Sequence, residues 1–516
     1  MNPAHDELML LCSRIALIAC LTLLAVSLPA CSGGASSSTP SSSPSTPQNP
    51  VGANLTKISS DPYTIAPGQH ATEVEPHMVA NGSTLVAAFQ TGRIAPGGGT
   101  AIGWATSTDG GLTWRHGFLP GLTTGEGTGP YDAASDPVVA YDAKYAVWMI
   151  ASLPLSASIH PPAVAVSRSS DGLSWQNPIS VDPSAPTSDK NWIVCDNWPA
   201  SPYFGNCYME WDDPLNNDQI LMSTSSDGGL TWGPATATAN SAQGIGGQPL
   251  VQPNGTVIVP IETTVMSAFL SSDGGATWTA PITVSNIQFR ADPGGIRSGP
   301  LPSATVDGTG SVWVVWEDCR FRANCSTNDL VYSTSIDGAT WSAVTRIPID
   351  DVSSTVDHFI PGVGIDPATT GATAHVALHY YYYAQSNCSP STCQLFVGYI
   401  ASANAGATWN KPAALTGPME LAWLPKSQNG LMVGDYIATA FTNGVPHGIF
   451  AVAQANSGTT FSEAMYTGQG LTALASGHQL SSANDRPLHN VSDKLEREIP
   501  EKGRVPPNRR AKRNAK

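Results

Sequence analysis

Charged side chains are scarce in this sequence, which has 24 basic and 39 acidic residues among 516. The charged fraction of 12% is about half the ~25% of ordinary soluble domains. Helical bundles and coiled coils need many Glu, Lys and Leu residues, so this composition argues against both. Glycine (49) and proline (42) are abundant, and a hydrophobic content of 41% argues against disorder throughout. A chain of this length can therefore bury a large core.

Basic residues are scarcest in the body of the chain. Residues 51–480 contain 13 Lys and Arg against 32 Asp and Glu, a net charge near −19. Such a body cannot neutralise a phosphate backbone, which argues against nucleic acid as its partner. Ten further basic residues lie in 481–516, with four prolines and few apolar side chains. We interpret residues 476–516 as a basic, disordered tail, with contact to anionic lipid as the alternative.

The apolar run 15–28 has 14 residues, short of the ~20 that a membrane-spanning helix needs. Its length suits the apolar part of a secretory signal. The run ends in Leu28-Pro29-Ala30-Cys31, which resembles the lipobox of bacterial lipoproteins, whose cysteine carries the lipid. An ordinary signal cleaved before that cysteine is the alternative. We therefore predict a lipoprotein signal over residues 1–31 and a Ser/Pro-rich tether over residues 32–50.

Cysteine is also rare, with nine copies. Six of them lie outside the leader and the lipobox, in three pairs of short spacing. An even number in an exported chain predicts disulfides, with metal binding as the alternative. The predicted pairs are Cys195–Cys207, Cys319–Cys325 and Cys388–Cys393.

The signature motifs of several enzyme classes are absent. The sequence has no Gly-x-Ser-x-Gly, no phosphate loop and no His-Glu-x-x-His zinc motif. It also has no tight Asp-x-Asp run of the kind that supplies oxygen ligands to Ca²⁺. We therefore expect no metal and no other cofactor, with Ca²⁺ as the weak alternative.

A turn motif, Ser-x-Asp-Gly-Gly-x-Thr-Trp, recurs along the chain at a mean step near 58 residues. Its Asp accepts hydrogen bonds from backbone N–H groups of its own turn, and its glycines tolerate positive φ. Its Trp buries a large ring against the neighbouring sheet, so each copy is predicted to join two strands. The capping residues are Asp109, Asp171, Asp227, Asp273, Asp337 and Asn404, and a weaker seventh copy spans Gln454–Phe461.

This motif resembles the Asp-box, or BNR repeat, of the sialidase superfamily, and the resemblance covers residues 51–475. It implies an all-β protein, a β-propeller of seven four-stranded blades, with the six blades of catalytic sialidases as the alternative. Asp-boxes lie on the periphery in that family, so these copies are expected to be structural. Short apolar strands such as Pro137–Asp142 and Pro302–Asp307 precede most boxes and fit the inner strands of blades. Ile65–Thr72 is a candidate for a strand that closes the ring.

The residue just before each inner strand is informative, because inner strands of a propeller line the central channel. Acidic residues at such positions commonly cap turns, and that is the plainer interpretation. The functional interpretation is a polar ring at the channel mouth that meets sugar hydroxyls or a cation, with Glu75, Gln248 and Asp435 contacting substrate. The seven positions are Glu75, Asp136, Lys190, Gln248, Leu301, Ile360 and Asp435.

A sialidase holds the carboxylate of its substrate with three arginines, uses a Tyr activated by Glu as nucleophile, and uses an Asp as acid/base. The Arg-Ile-Pro motif of catalytic sialidases is missing here, and Glu75-Pro76-His77-Met78 stands in its place. The loop Thr91–Thr100 also lacks the expected Asp. The resemblance nevertheless implies a triad of Arg93, Arg297 and Arg320, with Tyr436, Glu317 and Asp136 as the reacting groups.

Two functions follow from these observations. The first is an exo-glycosidase of the exo-α-sialidase type that acts on surface glycans. The second is a non-catalytic propeller that binds a glycan or a protein. In both cases we expect a monomer in the bacterial cell envelope, anchored to the membrane through lipid on Cys31.

Overall fold

A computed structural model of the chain describes residues 50–468 except 53 and 185–187. Over this part the protein is all-β, as predicted, and its helical segments are short 3-10 turns. Among the described residues, no helix is both long and apolar enough to cross a membrane. The predicted lipobox cysteine Cys31, most of the tether and the basic tail lie outside the described residues.

The strands group into seven four-stranded antiparallel units, here sheets I to VII. Sheets I and II are joined by one residue pair, Gly99 with Ala134. Sheet I contains β2 Gln69–Asn81, β3 Thr84–Arg93, β4 Gly99–Ser107 and β5 Arg115–Phe118, and sheet II contains β6 Ala133–Asp142, β7 Val147–Leu155, β8 Val164–Ser169 and β9 Ile179–Val181. Sheet III contains β10 Asp189–Cys195, β11 Cys207–Asp213, β12 Gln219–Ser225 and β13 Thr236–Ala237, and sheet IV contains β14 Leu250–Val251, β15 Val257–Glu262, β16 Met266–Ser271 and β17 Ile282–Ser285. Sheet V contains β18 Ser303–Val306, β19 Val312–Asp318, β20 Asp329–Ser335 and β21 Thr345–Arg346; sheet VI contains β22 Asp357–Ile365, β23 Val376–Tyr383, β24 Gln394–Ser402 and β25 Ala413–Glu420; and sheet VII contains β28 Ala438–Thr442, β29 Val445–Ala453, β30 Glu463–Gly468 and β1 Leu55–Lys57.

The remaining elements are short. A two-stranded ribbon follows sheet VI, and five 3-10 turns lie in connecting loops. They are β26 Lys426–Ser427, β27 Gly430–Leu431, η1 Pro214–Asn216, η2 Pro293–Gly295, η3 Ala323–Cys325, η4 Gly371–Thr373 and η5 Leu421–Trp423.

The second strand of each unit is buried almost along its whole length. Strands β3, β7 and β19 have nearly continuous buried patterns, since a neighbouring sheet covers each of their two faces. This explains why apolar runs such as Val312–Trp316 do not alternate with polar residues. The core is accordingly a series of layers between successive sheets rather than one central cluster.

The first strand of each unit lies beside the first strand of the next. Strand β2 contacts β6, and the sequence of neighbours continues through β10, β14, β18, β22 and β28. Strand β28 then contacts β2, so the seven strands follow one another in cyclic order. The first strands, here called the inner strands, thus form a cycle of neighbours, and the middle of this cycle is here called the axis.

An N-terminal strand completes sheet VII. Strand β1 pairs antiparallel with β30, and Leu55 stands opposite Gly468. The expectation that Ile65–Thr72 supplies this strand is wrong, because β2 already begins at Gln69 and belongs to sheet I. The physical reason is that a three-residue strand carries too little apolar pattern to be recognised in the sequence.

The recurring turn motif has the hydrogen bonds expected of a capped turn. In the copy at Asp227, its carboxylate accepts from the backbone N–H and the hydroxyl of Thr231, at 2.9 and 2.6 Å. The Ser225 hydroxyl donates to the same carboxylate and accepts from Gly229 N–H at 3.0 Å. The serine-to-cap bond recurs at Asp109, Asp171, Asp273, Asp337 and Asn404.

All three predicted disulfides are confirmed. They join Cys195 to Cys207, Cys319 to Cys325 and Cys388 to Cys393. Each closes a short loop of 12 residues or fewer, so each restrains a local segment.

Candidate functional site

The first strands of four sheets, β2, β6, β10 and β22, each contain a local distortion of the backbone. Glu75, Asp136, Lys190 and Ile360 have left-handed backbones, with φ of 53, 47, 51 and 48°. At each of these residues the register with the second strand shifts, which marks a β-bulge. A left-handed conformation costs a non-glycine residue roughly 1–2 kcal/mol, and bulges re-aim side chains. Because the same distortion occurs in four sheets, it is a regular feature of the fold rather than an isolated irregularity.

Charged side chains from three of these strands and from two connecting segments meet in one group, here called the central cluster: Glu75, Asp136, Lys190, Arg297 and Asp435. The Lys190 ammonium contacts the Asp435 carboxylate and lies 3.8 Å from Asp136 Oδ2 and 4.0 Å from Glu75 Oε1. Arg297 holds Asp435 through two bonds, of which Nε to Oδ1 is 2.7 Å. Sheets I, II, III and the segment before sheet VII are thus tied together near the axis.

Arg93 lies behind this cluster and is held by neutral acceptors. Its Nη1 donates to Gln90 Oε1 at 3.1 Å and to the Gly98 carbonyl at 2.8 Å. The Gln90 amide in turn donates to the Glu75 carboxylate and to Ser135 Oγ. Arg297 thus gives its Nε and Nη2 donors to Asp435, whereas Arg93 gives its Nη1 donors to neutral groups and its buried Nε has no hydrogen-bond partner among the described residues.

The central cluster is almost completely excluded from water. The exposed fractions of its five residues lie between 1% and 6%. Burial, then the nearby Asp136, raises the pKa of Glu75 well above its ordinary range. Burial lowers the pKa of Arg297, but the Asp435 carboxylate outweighs it, and the net shift is upward. The same balance raises the pKa of Lys190. Both cations stay protonated, while the Glu75 carboxyl tends to keep its proton.

A small cavity of about 20 Å³ adjoins the cluster, which is room for roughly one water molecule. Two aromatic rings line it, Trp192 and Tyr436, in an edge-to-face contact at 5.3 Å. The Tyr436 hydroxyl donates to the Pro137 carbonyl at 3.1 Å, and burial raises its pKa well above the ordinary value. The amide of Asn191 also lines the cavity, and neither its nitrogen nor its oxygen has a hydrogen-bond partner among the described residues.

The structure brings together most of the residues singled out in the sequence. The predicted ring residue Gln248 lines the cavity and accepts from Ala304 N–H at 2.8 Å. Leu301 lines the cavity as well, whereas Ile360 contributes an apolar side chain to the core. The residues that surround the axis are Glu75, Arg93, Asp136, Lys190, Gln248, Arg297, Leu301, Asp435 and Tyr436.

The triad of Arg93, Arg297 and Arg320 stays a prediction, and the recorded contacts of Arg320 are with other groups. Arg320 directly follows β19 and turns back onto Asp318, with Nη2 2.7 Å from Oδ2 and Nε 2.9 Å from Oδ1. Its other contacts are with Ser285 and Asn286, which belong to the end of sheet IV and the segment after it. Glu317 is fully buried within β19. Arg320 is thus paired with the carboxylate of Asp318, two residues away.

Acidic residues of β11 were missed in the sequence. Asp212 stands directly opposite Asp189 across the β10–β11 pair, and Asp212 is 1% exposed. Burial and the neighbouring Asp189 raise the pKa of Asp212 well above its ordinary range. Burial likewise raises the pKa of Asp189 to about 7. Two carboxyls placed side by side cannot both ionise easily, so this pair holds a proton near neutral pH. Pairing across strands, which no sequence spacing reveals, creates it.

A second carboxyl pair lies between sheets V and VI. Burial and then Asp357 raise the pKa of Asp292 well above its ordinary range, and burial raises the pKa of Asp357 to about 6. Asn328 bridges them, because its N–H donates to Asp357 at 2.6 Å and its amide donates to Asp292 at 3.1 Å. Arg290 lies 3.3 Å from Asp357 and is about one-third exposed.

The described residues contain two groups with the ligand types of a metal site. Asp329, Asp350 and His358 lie within 4.8 Å of one another, but Arg322 contacts both carboxylates at 2.5 and 2.6 Å and supplies the positive charge. In the other group, Asp142 lies beside two cysteines that form a disulfide. The first group supplies two carboxylates and one imidazole, whereas Ca²⁺ takes about six to eight oxygen ligands.

No known protein family and no curated protein matches the sequence. Solved structures with similar architecture include an ulvan lyase from a new polysaccharide lyase family, 11% identical, covering 80% of this chain and 95% of its own, with a TM-score of 0.46. The NanB sialidase of Streptococcus pneumoniae is 13% identical, with 80% and 70% covered and a TM-score of 0.39. A Dyadobacter fermentans protein of unknown function is 16% identical, with 68% and 100% covered and a TM-score of 0.41. At these values the similar proteins give no evidence on the activity or ligand of this chain.

Proposed function

We propose that this chain is a seven-bladed β-propeller of sialidase-like architecture that recognises carbohydrate without hydrolysing it. Sheets I to VII supply the blades, and their cyclic order and common turn motif support this interpretation. Closure by β1 within sheet VII also suits a ring, because it joins the two ends of the described chain in one sheet.

The observation that carries the non-catalytic assignment is the contact between Arg297 and Asp435. A guanidinium that grips a substrate carboxylate must offer its paired N–H groups to the ligand. Arg297 gives them to Asp435, and Arg93 bonds Gln90 and Gly98. An exo-glycosidase must also enclose a terminal sugar, in a pocket of at least roughly 300 Å³. The cavity beside the cluster has about 20 Å³.

The residues around that cavity support a glycan as the ligand. They combine two aromatic rings, Trp192 and Tyr436, with the planar amides of Asn191 and Gln248. Amides form directional bonds to hydroxyl groups, and aromatic faces cover the apolar side of a sugar ring. Trp192 is the partly exposed member of this group and can meet an edge of a glycan chain that lies across the channel mouth, with the buried residues behind it.

A glycosidase that uses the same site is the second candidate function. The pKa of Asp189, raised to about 7 by burial, favours it. A carboxyl that keeps its proton near neutral pH can protonate the leaving group of a glycosidic bond.

Glycan-array binding and turnover, measured on the full chain, distinguish the two candidates. We expect binding to glycans and no release of fluorophore from a fluorogenic sialoside or from neutral glycosides. Lys190→Met should weaken binding by about tenfold or more, since it unbalances the central cluster, whereas the exposed Asp132→Asn should leave binding unchanged. Turnover that disappears in Asp189→Asn would establish the glycosidase instead. Failure to bind any glycan would overturn both candidates in favour of a protein partner.

We also propose that the protein is held at the outer side of a membrane by lipid on Cys31. The support is the Leu28-Pro29-Ala30-Cys31 motif and the Ser/Pro-rich segment after it. Cys31→Ala should move the protein from the membrane fraction to the soluble fraction of the cell envelope. Cys20→Ala, upstream in the same leader, is the matched control and should not. Equal partitioning of Cys31→Ala and the unaltered chain would contradict the anchor.

A further inference from the structure

The segment that joins β1 to β2, residues 58–68, is here called the N-terminal strap. The start of β2 beside it is not held by a regular strand ladder. Its register with β3 shifts between Gln69 and Glu73, and Ala71 has a left-handed φ of 57°. Segments fixed by few hydrogen bonds open more readily than the strands beside them. The side chains that hold this segment therefore control whether the strap stays closed.

His70, the second residue of β2, closes the strap. Its Nδ1 lies 3.2 Å from Asp61 Oδ2, and its Nε2 lies 2.6 Å from the Ile65 carbonyl oxygen, so the ring joins two points of the strap. A Cβ on Gly68 would lie 2.8 Å from the ring carbon Cε1, and one on Gly92 would lie 3.2 Å from Nδ1. Two glycines thus leave the space that the imidazole fills, with both of its nitrogens engaged.

Both partners of this imidazole are hydrogen-bond acceptors. A carbonyl oxygen has no proton to donate. The Asp61 carboxylate already accepts two further hydrogen bonds, from Tyr63 N–H at 2.9 Å and from Ala71 N–H at 2.8 Å. A neutral imidazole has one N–H group and can satisfy one of its two partners, whereas an imidazolium has two N–H groups. The contacts therefore fit the protonated ring, whose bond to Asp61 is then charge-assisted.

Few other charges surround the ring. The side chain of Asp61 is buried, and the ring's neighbours on β3 and β4, Gly92 and Thr100, are neutral. Glu126 faces the strap from the loop before sheet II, and the exposed Lys426 lies on the ribbon β26–β27. The imidazole itself is 17% exposed, so protons can reach it from water. Its main charged partner is accordingly the carboxylate of Asp61.

Contacts continue from the strap to the axis through Gln69, the residue before His70. The Gln69 amide donates to the Lys426 carbonyl at 2.7 Å and accepts from the Lys426 N–H at 2.8 Å. Lys426 stands opposite Leu431 in the ribbon, and the Leu431 carbonyl accepts from Arg297 N–H at 2.7 Å. The strap is thus connected, contact by contact, to the segment that carries the Arg297 guanidinium into the central cluster.

We propose that His70 is a pH-sensitive clamp, which in its protonated form closes the N-terminal strap and fixes the ribbon. Histidine changes charge between about pH 5 and pH 8, so the clamp is complete at the acidic end of this range and is lost as the pH rises through it. The neutral ring keeps one N–H group, and either Asp61 or Ile65 then loses its bond. The strap and the ribbon open locally while the seven sheets stay folded. This switch does not depend on the proposed ligand.

NMR of the full chain with isotopically labelled histidine tests the state of the ring, and the signal that disappears in His70→Asn identifies it. We expect two protonated ring nitrogens at about pH 5.5 and one at about pH 8.5. Hydrogen exchange of the unaltered chain, followed by mass spectrometry, tests the opening. Protection of residues 58–72 and 424–433, corrected for the intrinsic exchange rate, should fall about tenfold or more between these two pH values.

His70→Asn, which cannot carry the charge, should show low protection of both segments at either pH. His160→Asn, an exposed histidine in the loop after β7, is the matched control and should behave as the unaltered chain. A single protonated nitrogen on His70 at about pH 5.5, or strap protection that is the same at both pH values, would overturn the clamp. Opening of the strap without any change in the ribbon would overturn the connection through Gln69.

Discussion

Individual charged residues near the axis form buried ion pairs that connect different segments of the fold. Arg297, Lys190 and Asp435 satisfy one another in a space that water hardly reaches. Removing one member of a buried ion pair leaves an uncompensated charge, which is far more costly than the pair itself is stabilising. The effect of replacing Arg297 on the free energy of unfolding therefore tests whether its guanidinium stabilises the fold or binds a ligand.

Arg297→Met should lower the free energy of unfolding by about 3–5 kcal/mol, because Asp435 then loses its paired donors. Urea unfolding followed by circular dichroism measures this. Arg115→Met, an exposed arginine on β5, is the control and should change stability little. If Arg297→Met unfolds at the same urea concentration as the unaltered chain while glycan binding falls, the guanidinium serves the ligand and our assignment fails.

Asn191 differs from the paired charges, because its side-chain amide is buried without a hydrogen bond. The residue is 1% exposed, and neither polar atom of the amide has a partner among the described residues. Each unmet buried polar group costs about 1–3 kcal/mol. Asn191→Leu should therefore stabilise the fold by about 1 kcal/mol or more while weakening glycan binding, whereas Asn240→Leu on the surface should do neither. Loss of stability in Asn191→Leu, seen by thermal unfolding, would mean that the amide is satisfied and structural.

At the scale of elements, the recurring turn joins each sheet to the one before it. The turn glycines have positive φ, and in the copies other than that at Gly458 a turn glycine lies against side chains of the preceding sheet. A Cβ on Gly275 would be 2.3 Å from Thr224 Oγ1 and 2.9 Å from the Tyr208 ring. The motif thus acts both as a hairpin turn and as an interface between sheets.

Gly275→Ala and Gly458→Ala separate these two roles. Both glycines have left-handed backbones, with φ of 85 and 65°, but a Cβ on Gly458 would have no atom within 4 Å. We expect Gly458→Ala to cost about 1–2 kcal/mol of unfolding free energy, from backbone strain alone. Gly275→Ala should cost about 1–3 kcal/mol more, from overpacking against sheet III. Equal losses in chemical unfolding would show that the turn does not determine the packing between sheets.

At the scale of the whole molecule, the N-terminal segment completes the last sheet and contacts the first. Ser59, just after β1, donates to Glu73 on β2 and accepts from Met465 N–H on β30 at 2.8 Å. Glu73 is buried, and burial raises its pKa to about 7. Glu463 on β30 is buried as well, and its pKa is raised by burial and by Glu73. A pair of buried carboxyls thus lies where the two ends of the described part of the chain meet.

The free energy of unfolding should consequently decrease as the pH rises from about 4.5 to about 7. The folded state holds the Glu73 proton more tightly than the unfolded chain does, because the pKa of Glu73 is about 7 in the folded state and 4.5 in the unfolded chain. The stabilisation from this proton is therefore complete below about pH 4.5 and is lost by about pH 7. The loss is roughly 3 kcal/mol for this residue, and Glu463 adds to it with the same sign. The hydrogen bond from Ser59 and then the charge of Lys57 oppose this rise in the pKa of Glu73, and Asp61 reinforces it.

Urea unfolding at several pH values between 5 and 8 checks this expectation. Glu73→Gln should be more stable than the unaltered chain at pH 8 and should show a shallower dependence on pH. Glu420→Gln, an exposed glutamate at the end of β25, should keep the original dependence. An identical pH dependence in Glu73→Gln would exclude Glu73 as its source.

The sequence by itself determined the features that depend on short stretches of chain. The turn motif, its capping residues and the close cysteine pairs need only local geometry, so the all-β class and the disulfides followed from it. The positions of Glu75, Asp136, Lys190 and Ile360 were singled out because they repeat at a regular spacing, but the sequence placed them just ahead of the inner strands and the structure places them inside these strands, at bulges. Their charges, however, did not reveal which partner each one would take.

Only the tertiary structure decided those partners, because they come from distant parts of the chain. Arg297 meets Asp435, 138 residues away, whereas Arg320 is captured by Asp318, two residues away. Asp189 and Asp212 become a pair through strand register, and β1 joins β30 across the whole described chain. Electrostatic and packing energies depend on separation in space, and a sequence reports only separation along the chain.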